Sequence, residues 1–273
     1  MKLSKLAGAV AVSMALASGA ALAEPFYINV NNFAATPFPG TDGKTANIFQ
    51  LGVDWQATST YTDLDNNGVD VGDTVVDSGF GTVSSYLNSV GNAILGGENN
   101  EGVGVSHSIR FEYNDLTAVG GGNVVYYQNN PAPGFDDILA YFNTGTINFY
   151  SDNNFNGLTD GTDRLLLTGN VFHSVATVGN VIVYATLSNI DPGTWFFPAG
   201  IDWSSSVVAL NMRVDTNVDP ESDPTLVAGT TDTYSRTSTL NGSVEFVPEP
   251  ASIALMGLGL LGLGLSRRNK KSA

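Results

Sequence analysis

Alternation of apolar and polar residues over short segments is the feature that most constrains this fold. Successive side chains of a β-strand point to opposite faces, so a period of two predicts strands with one buried face. The period is clearest at residues 103–113 and 208–214. Its apolar positions are Val103, Val105, Ile109, Phe111 and Tyr113, and Val208, Leu210, Met212 and Val214. Both segments therefore predict half-buried strands.

Further short apolar segments are separated by residues that favour turns. The segments are Phe26–Val30, Ile48–Trp55, Val124–Gln128, Ile138–Phe142, Thr146–Tyr150, Leu165–Thr168 and Val181–Leu187. The turn signals are Asn66-Asn67-Gly68, Asn129-Asn130-Pro131, Asp191-Pro192-Gly193 and Asn241-Gly242. Many short strands at near-regular spacing predict an all-β fold, a β-sandwich or jelly-roll-like single domain over residues 24–246. Within it, Leu87–Leu95 suggests one short helix.

The first 23 residues have the composition of a secretory signal peptide. Lys2 and Lys5 give a positive start, and Leu6–Leu22 carries no charge. Ala21 and Ala23 form a small-x-small cleavage site. This order predicts a signal peptide helix at residues 1–23 that is removed during export. The alternative is an uncleaved anchor helix.

Residues 247–273 combine three features in a fixed order. They are the triplet Pro248, Glu249 and Pro250, the apolar segment Ile253–Leu265, and a basic cluster that includes Arg267 and Arg268. The apolar segment is short for a membrane span, which needs about 20 residues. Basic residues beyond it would stay cytoplasmic under the positive-inside rule. The order predicts a short C-terminal hydrophobic helix in transient contact with the inner membrane; a plain C-terminal anchor is the alternative.

These residues resemble a known sorting signal. The Pro248-Glu249-Pro250 triplet, the Leu/Gly-rich run and the Arg267-Arg268 pair are similar to a PEP-CTERM sorting segment. The resemblance implies processing near the triplet by an exosortase, a membrane thiol transpeptidase. The whole chain also resembles the flocculation-associated PEP-CTERM proteins of floc-forming Gram-negative bacteria. That resemblance implies a secreted or cell-surface protein of the extracellular matrix.

The region between the two ends is strongly acidic. Residues 24–247 contain 25 acidic and five basic residues, a formal charge of −20. Such a charge repels nucleic acid, which is therefore not an expected partner, and attracts divalent cations. The chain contains no cysteine, so an exported domain must here be stable without disulfides.

The strongest candidate metal site follows the predicted strand Thr146–Tyr150. Calcium takes about six to eight oxygen ligands, and the pattern D-x-[DN]-x-[DN]-G directs three side chains around a sharp turn. Asp152, Asn154 and Asn156 fill the first three ligand positions, and the later positions 9 and 12 are Asp160 and Asp163. We expect calcium here with modest affinity, because Asp at position 12 is shorter than the usual Glu.

Residues 63–68 contain the same D-x-[DN]-x-[DN]-G pattern. Asp63, Asp65 and Asn67 fill the first three positions, before Gly68. The later acids Asp70 and Asp73 are out of register, so this loop needs a different closing arrangement, and Asp73 is included in its predicted ligand set. The alternative for both loops is an ordinary Asn/Asp/Gly turn without metal.

Catalytic signals are weak. The sequence contains no H-E-x-x-H, G-x-S-x-G or P-loop motif, and no pair of carboxylates stands out. His107 and His173 occupy predicted strands and are expected to be core residues. We therefore expect a protein that is not an enzyme.

Aromatic residues offer a possible sugar-binding surface. The candidates are Trp55, Trp195-Phe196-Phe197, Trp203 and Tyr126-Tyr127. They could stack on sugar rings, and the alternative is that they pack in the core.

These features predict an exported, exosortase-sorted surface or matrix protein. The family resemblance implies that it supports exopolysaccharide-dependent flocculation or biofilm formation. An acidic β-domain stiffened by calcium would contact exopolysaccharide directly or through cation bridges. The alternatives are a calcium-dependent, lectin-like carbohydrate-binding module and a secreted polysaccharide hydrolase.

Overall fold

The computed structural model describes residues 24–33, 43–94, 107–128, 137–154, 160–177, 180–206, 210–217 and 223–248. The predicted signal peptide helix and C-terminal hydrophobic helix lie outside these residues. Within the described ranges, no helix is long and apolar enough to cross a membrane. Nearly all regular structure in them is β-strand, which confirms the all-β prediction.

Thirteen strands and two short 3-10 helices lie in the described residues. The strands are β1 (Tyr27–Ile28), β2 (Gln50–Thr62), β3 (Thr74–Leu87), β4 (Ile109–Thr117), β5 (Val124–Gln128), β6 (Asp137–Ala140), β7 (Thr144–Ser151), β8 (Arg164–Thr177), β9 (Asn180–Ser188), β10 (Trp195–Phe196), β11 (Leu210–Asn217), β12 (Thr225–Leu226) and β13 (Thr233–Pro248). The 3-10 helices are Val30–Asn32 and Trp203–Ser205.

Eight of these strands form one closed antiparallel sheet. They pair in the order β2, β3, β4, β7, β8, β9, β11 and β13, and β13 pairs back with β2. The order follows the chain, so the sheet is an up-and-down meander. Each of the eight strands has a partner on both sides, which protects the edges that an open sheet would expose.

The closed sheet has two ends. We call the end from which the chain continues into the C-terminal segment the tail end, and the opposite one the far end. The tail end is where β2 begins at Gln50 and β13 finishes at Pro248. The far end is where β2 finishes at Thr62 and β13 begins at Thr233.

Alternation places the apolar face of each strand inside. On β2, Trp55, Ala57 and Tyr61 are buried, and the residues between them are mostly exposed. The ring of Phe111 lies 5.6 Å from that of Trp55 and 5.8 Å from that of Phe149. Burial of each such side chain contributes about 1.5–3 kcal/mol.

An aromatic cluster closes the tail end. It consists of Phe26, Trp195, Trp203 and Phe246, whose ring centroids lie between 5.1 and 6.0 Å apart. The indole N–H of Trp195 donates to the carbonyl of Leu166 at 3.2 Å, so its polar atom is satisfied inside the core. The cluster ties β10 and the segment before β1 to the end of β13.

The β5–β6 hairpin and the chain beside it cover the far end. Ile138, Ala140 and Phe142 point into the sheet interior. Asn123 fixes this cover to β3, since its Oδ1 accepts from the N–H of Val75 at 2.6 Å and its Nδ2 donates to the Val75 carbonyl at 3.0 Å. The interior is therefore covered at both ends.

The turn expected at Asn241-Gly242 is wrong, because both residues lie inside β13. A Cβ at Gly242 would lie 2.0 Å from the carbonyl oxygen of Asp215 on β11 and 3.0 Å from the Trp55 ring. Glycine here permits the close approach of strands that closes the sheet.

The short helix expected at Leu87–Leu95 is also wrong over its described part. Leu87 ends β3, and Asn88 begins a turn in which the N–H of Gly91 donates to the Asn88 carbonyl at 3.0 Å. The Asn88 side chain accepts from the N–H of Asn92 at 3.1 Å, which favours the turn over a helix.

We expect Trp195→Ala to lower the free energy of unfolding by about 3–5 kcal/mol, because removing a fully buried indole leaves a cavity. Phe172→Ala is the matched control: Phe172 is 47% exposed, so its truncation leaves no enclosed cavity and should cost only about 1 kcal/mol. Urea unfolding followed by circular dichroism measures both. Equal losses would contradict the role of the aromatic cluster.

Candidate metal centre

The two aspartate-rich loops lie at opposite ends of the closed sheet. Residues 63–73 join β2 to β3 at the far end, and we call them the far loop. Residues 152–163 join β7 to β8 at the tail end, and we call them the tail loop. Each loop would therefore have to hold an ion by itself.

Asp63 organises the far loop by accepting backbone hydrogen bonds. Its Oδ1 accepts from the N–H groups of Asp65, Asn66 and Asn67 at 3.2, 2.7 and 3.3 Å. Its Oδ2 accepts from Gly68 at 2.7 Å. Asn66 and Gly68 both have positive φ, of 62° and 102°, which suits asparagine and glycine. The chain thus turns tightly around one carboxylate.

Asp73 closes the far loop from the other side. Its Oδ1 accepts from the N–H of Leu64 and its Oδ2 from that of Asp70, both at 2.8 Å. Carboxylate oxygens of Asp63, Asp65 and Asp73 all lie within 4.8 Å of one another. The structure therefore brings together three acids of the predicted ligand set.

Asn67 faces the same group of carboxylates. Its amide nitrogen donates to Oδ2 of Asp65 at 2.9 Å and to Oδ2 of Asp70 at 3.1 Å. Turning the amide over would present its oxygen instead, as a cation requires. Asn67 is therefore close enough to serve as a fourth side-chain ligand.

Two carboxyl groups of the far loop, those of Asp63 and Asp65, have perturbed pKa values. Burial acts to raise the pKa of Asp63, but the hydrogen bonds from Gly68, Asn66 and their neighbours outweigh it, and the pKa is lowered. The pKa of Asp65 is raised by desolvation and by the nearby charges of Asp70 and Asp63. A bound cation would offset this repulsion.

The tail loop shows part of the same arrangement. Asn154 donates to Oδ2 of Asp160 at 2.8 Å, and Oδ2 of Asp163 accepts from the N–H of Asp160 at 3.1 Å. Oδ1 of Asp163 is buried and has no hydrogen-bond partner among the described residues. Asp152 is buried where β7 ends. Asn156 lies outside the described residues.

Both loops end in the same turn, which resolves the register difference in the sequence. The N–H of Asp73 donates to the carbonyl of Asp70 at 3.3 Å, and that of Asp163 to the carbonyl of Asp160 at 3.2 Å. The next strand begins at the following residue in each case. Asp70 and Asp73 are therefore the counterparts of Asp160 and Asp163, and the far loop is one residue shorter.

The geometry of the far loop fits a hard divalent cation. Calcium–oxygen distances are about 2.3–2.6 Å, so two oxygens on one ion lie at most about 5 Å apart. One carboxylate oxygen from each of Asp63, Asp65 and Asp73 meets that limit. All its candidate ligands are oxygens, which suits calcium better than zinc or copper.

The sorting residues adjoin the last strand. Pro248 is the final residue of β13 and pairs with Leu210. The predicted domain boundary after residue 246 therefore falls inside β13. The remaining sorting and cleavage residues, Glu249, Pro250, Arg267, Arg268, Ala21 and Ala23, lie outside the described residues.

The two histidines differ in position. His107 is a buried core residue as predicted: burial lowers its pKa to about 4, and its Nε2 lies 3.0 Å from the Tyr86 hydroxyl. The core prediction for His173 is wrong. It is exposed between the rings of Tyr141 and Tyr184, at 5.6 and 5.9 Å, because the register of β8 shifts just before it.

The tryptophans follow the core-packing alternative. Trp55, Trp195 and Trp203 are 5%, 0% and 3% exposed. None of the three can present its face to a sugar ring. Phe196 is half-buried and stacks on Tyr27 at 5.1 Å.

A row of polar side chains inside the closed sheet was not predicted. Arg236, Ser59 and Asp77 lie opposite one another on β13, β2 and β3, and all three line the interior cavity. Ser59 Oγ donates to Oδ1 of Asp77 at 3.0 Å, and the Tyr113 hydroxyl donates to Oδ2 at 3.3 Å. A Cβ at Gly79 would lie 2.5 Å from the Tyr113 ring, so glycine makes room for that ring.

Asp77 should make stability depend on pH. Burial raises its pKa to about 6, although Ser59, Tyr113 and Arg236 act in the opposite direction. Because the folded pKa exceeds the unfolded value of 3.8, the protonated carboxyl favours folding below about pH 4, and this advantage is lost as pH rises through about 6.

We therefore expect the difference in unfolding free energy between Asp77→Asn and wild type to rise from pH 4 to pH 7. The rise should be at most about 3 kcal/mol, because the pKa moves from 3.8 to about 6 and one pKa unit is worth about 1.4 kcal/mol. Urea unfolding of both proteins at each pH measures it. A difference that stays constant with pH would contradict the raised pKa.

The fold and its last strand define a class of protein: an all-β domain that runs directly into a terminal sorting segment. The family model of the PEP-CTERM protein-sorting motif matches residues 246–268. The chain is therefore a PEP-CTERM sorting domain-containing protein. The motif implies processing by an exosortase and a secreted or cell-surface location. Neither the curated proteins nor the solved structures contain a match to the chain.

Proposed function

We propose that this exported protein is a non-enzymatic component of the extracellular matrix that supports exopolysaccharide-dependent flocculation or biofilm formation. Calcium bound in the far loop would stiffen the domain and join it to acidic polysaccharide. The observation that carries the proposal is the crowding of carboxylates in the far loop.

The distribution of basic residues supports this proposal. Four of the five basic residues between the two ends lie in the tail half of the sheet or beside it. Lys44 forms a backbone bridge with Asn29, and Arg164 is the first residue of β8. Arg110 and Arg213 lie in the tail half of β4 and β11. The fifth, Arg236, is inside the sheet. The far loop therefore has no exterior basic side chain near it among the described residues.

A cation can bridge two acidic partners that would otherwise repel each other. The protein and an acidic polysaccharide both carry negative charge, so direct contact is unfavourable. Calcium takes about six to eight oxygens, more than the four candidate side chains of the far loop supply at one oxygen each. Carboxylates of a polysaccharide could complete the coordination, which makes attachment depend on calcium.

The rival functions have less support. Because all three tryptophans are buried, none of their indole faces supports sugar stacking by a lectin-like module. For a hydrolase, His107 is buried and hydrogen-bonded to Tyr86, so it is poorly placed to act on a polysaccharide. We therefore propose that the protein is not an enzyme.

We expect Asp65→Asn to weaken calcium binding at least tenfold. Asp65 is exposed and supports less of the loop backbone than Asp63 or Asp73 does, so the change removes a ligand with little effect on folding. Asp115→Asn, an exposed change outside the far loop, is the matched control and should bind like wild type. Isothermal titration calorimetry measures the affinities.

Thermal unfolding provides a second readout for calcium. A site saturated one hundredfold above its Kd stabilises the folded state by about 2.7 kcal/mol. Wild type and Asp115→Asn should show a calcium-dependent rise in Tm that Asp65→Asn lacks at the same calcium concentration. If wild type gives neither heat nor a Tm shift at millimolar calcium, the metal proposal fails.

We expect cells that lack the exosortase to retain a larger form of the protein and to flocculate poorly. In wild-type cells, mass spectrometry should find a product without the signal peptide and without the hydrophobic tail.

A chain that stops at Pro248 keeps all of β13, so it should fold and be secreted. This truncated chain tests whether the tail is needed for retention in the matrix. Undiminished flocs after deletion of this gene would remove the proposed matrix role.

A further inference from the structure

The interior of the closed sheet contains a cavity of about 80 Å³. Most of its lining is apolar and includes Val75, Ile147, Phe149 and Val183. Polar side chains are concentrated in the row formed by Arg236, Ser59 and Asp77, with Ser238 next to it on β13. The cavity therefore has an apolar wall and one polar side.

Arg236 is the unusual member of that polar side. It is 6% exposed, and its Nε and Nη1 are buried without a hydrogen-bond partner among the described residues. The ion pairs found in those residues do not include it. Its guanidinium lies 5.8 Å from the ring centroid of Tyr61. Ser238 Oγ is likewise buried without a partner.

The unpaired groups specify the chemistry of a missing partner. Arginine remains charged in proteins and only donates hydrogen bonds. A buried charge without a partner is strongly unfavourable. The missing partner must therefore be an acceptor, and an anionic oxygen makes the strongest hydrogen bond to a guanidinium donor.

Asp77 does not meet this need. Its two carboxylate oxygens already accept from Ser59 and Tyr113. It lies two strands away from Arg236 in the register, with Ser59 between them. The Nε and Nη1 donors of Arg236 are therefore available to a guest molecule.

We infer that the interior cavity binds a small aliphatic monocarboxylate, whose carboxylate accepts hydrogen bonds from Arg236 while its hydrocarbon part contacts the apolar wall. An apolar cavity of about 150 Å³ can hold benzene, so this smaller cavity suits a short chain of a few carbons. A polysaccharide carboxylate cannot enter, because its chain is too large. The inference does not depend on the calcium or matrix proposals.

Three probes of equal length test the inference on the wild-type protein. Isothermal titration calorimetry compares butyrate, butyramide and butylamine, which differ only in the head group. Butyrate should bind saturably with one molecule per chain, the amide at least tenfold more weakly, and the amine not at all. No saturable heat with butyrate, as expected if water alone fills the cavity, overturns the inference. Binding of the amine as tightly as butyrate does the same.

Variants then locate the site. Arg236→Gln should weaken butyrate binding at least tenfold, and it should fold, because it removes a buried unpaired charge. Arg213→Gln is the matched control: Arg213 is paired with Asp215 and Glu245 away from the cavity, so affinity should not change. Asp77→Asn should tighten butyrate binding severalfold, since it removes a nearby negative charge. Equal affinity in wild type and Arg236→Gln would overturn the inference, and the three-probe comparison decides it if that variant does not fold.

Discussion

The fold depends on the two-sided pairing of β13. Residues 233–245 of this strand pair with β2, and residues 241–248 pair with β11, so residues 241–245 have partners on both sides. This overlap turns an eight-stranded meander into a closed sheet. The overlap is possible because Gly242 lets the carbonyl of Asp215 and the ring of Trp55 approach the backbone. If β13 lost its partner on either side, the sheet would open and expose two strand edges.

The sequence predicted the fold class but not the closure. Alternation identifies strands whose inner face is apolar, as in β11, where Leu210, Met212 and Val214 are all buried. It fails for the longest strands. The 16 residues of β13 and the 14 of β3 are rich in serine, threonine and glycine, so their periodicity is weak. Pairing on both sides supplies the stability that their side chains do not signal.

Asn241-Gly242 shows why local propensity misleads here. The pair favours a two-residue hairpin turn when strands flank it, yet in this protein it lies within a strand. The reason is long-range, since the contact that demands glycine comes from β11, and no local pattern encodes it. The interior position of Arg236 could have been predicted from the strand period. Arg236 alternates in phase with Ser238 and Leu240, which are also buried.

The candidate metal ligands were predictable as residues but not as an arrangement. The Asp/Asn/Gly pattern identified both loops, because these residue types favour tight turns with or without a metal. Spacing alone left Asp70 and Asp73 out of register. Their equivalence to Asp160 and Asp163 is visible only in the turn that each pair forms. The far loop is one residue shorter than the tail loop, so the equivalence cannot be read from sequence spacing. That the loops lie at opposite ends follows from the meander.

The polar row inside the sheet is a stability cost that the rest of the fold must offset. Asp77 is held mostly away from water, which raises its pKa, and two donors of Arg236 find no partner in the described part of the chain. Neither group strengthens the folded state as an apolar side chain of the same volume would. The compensation comes from the aromatic cluster at the tail end and from the closed backbone pairing, whose hydrogen bonds join main-chain atoms. A closed sheet can therefore keep charged groups in its interior, and such groups are useful to the protein where a guest of opposite charge can pair with them.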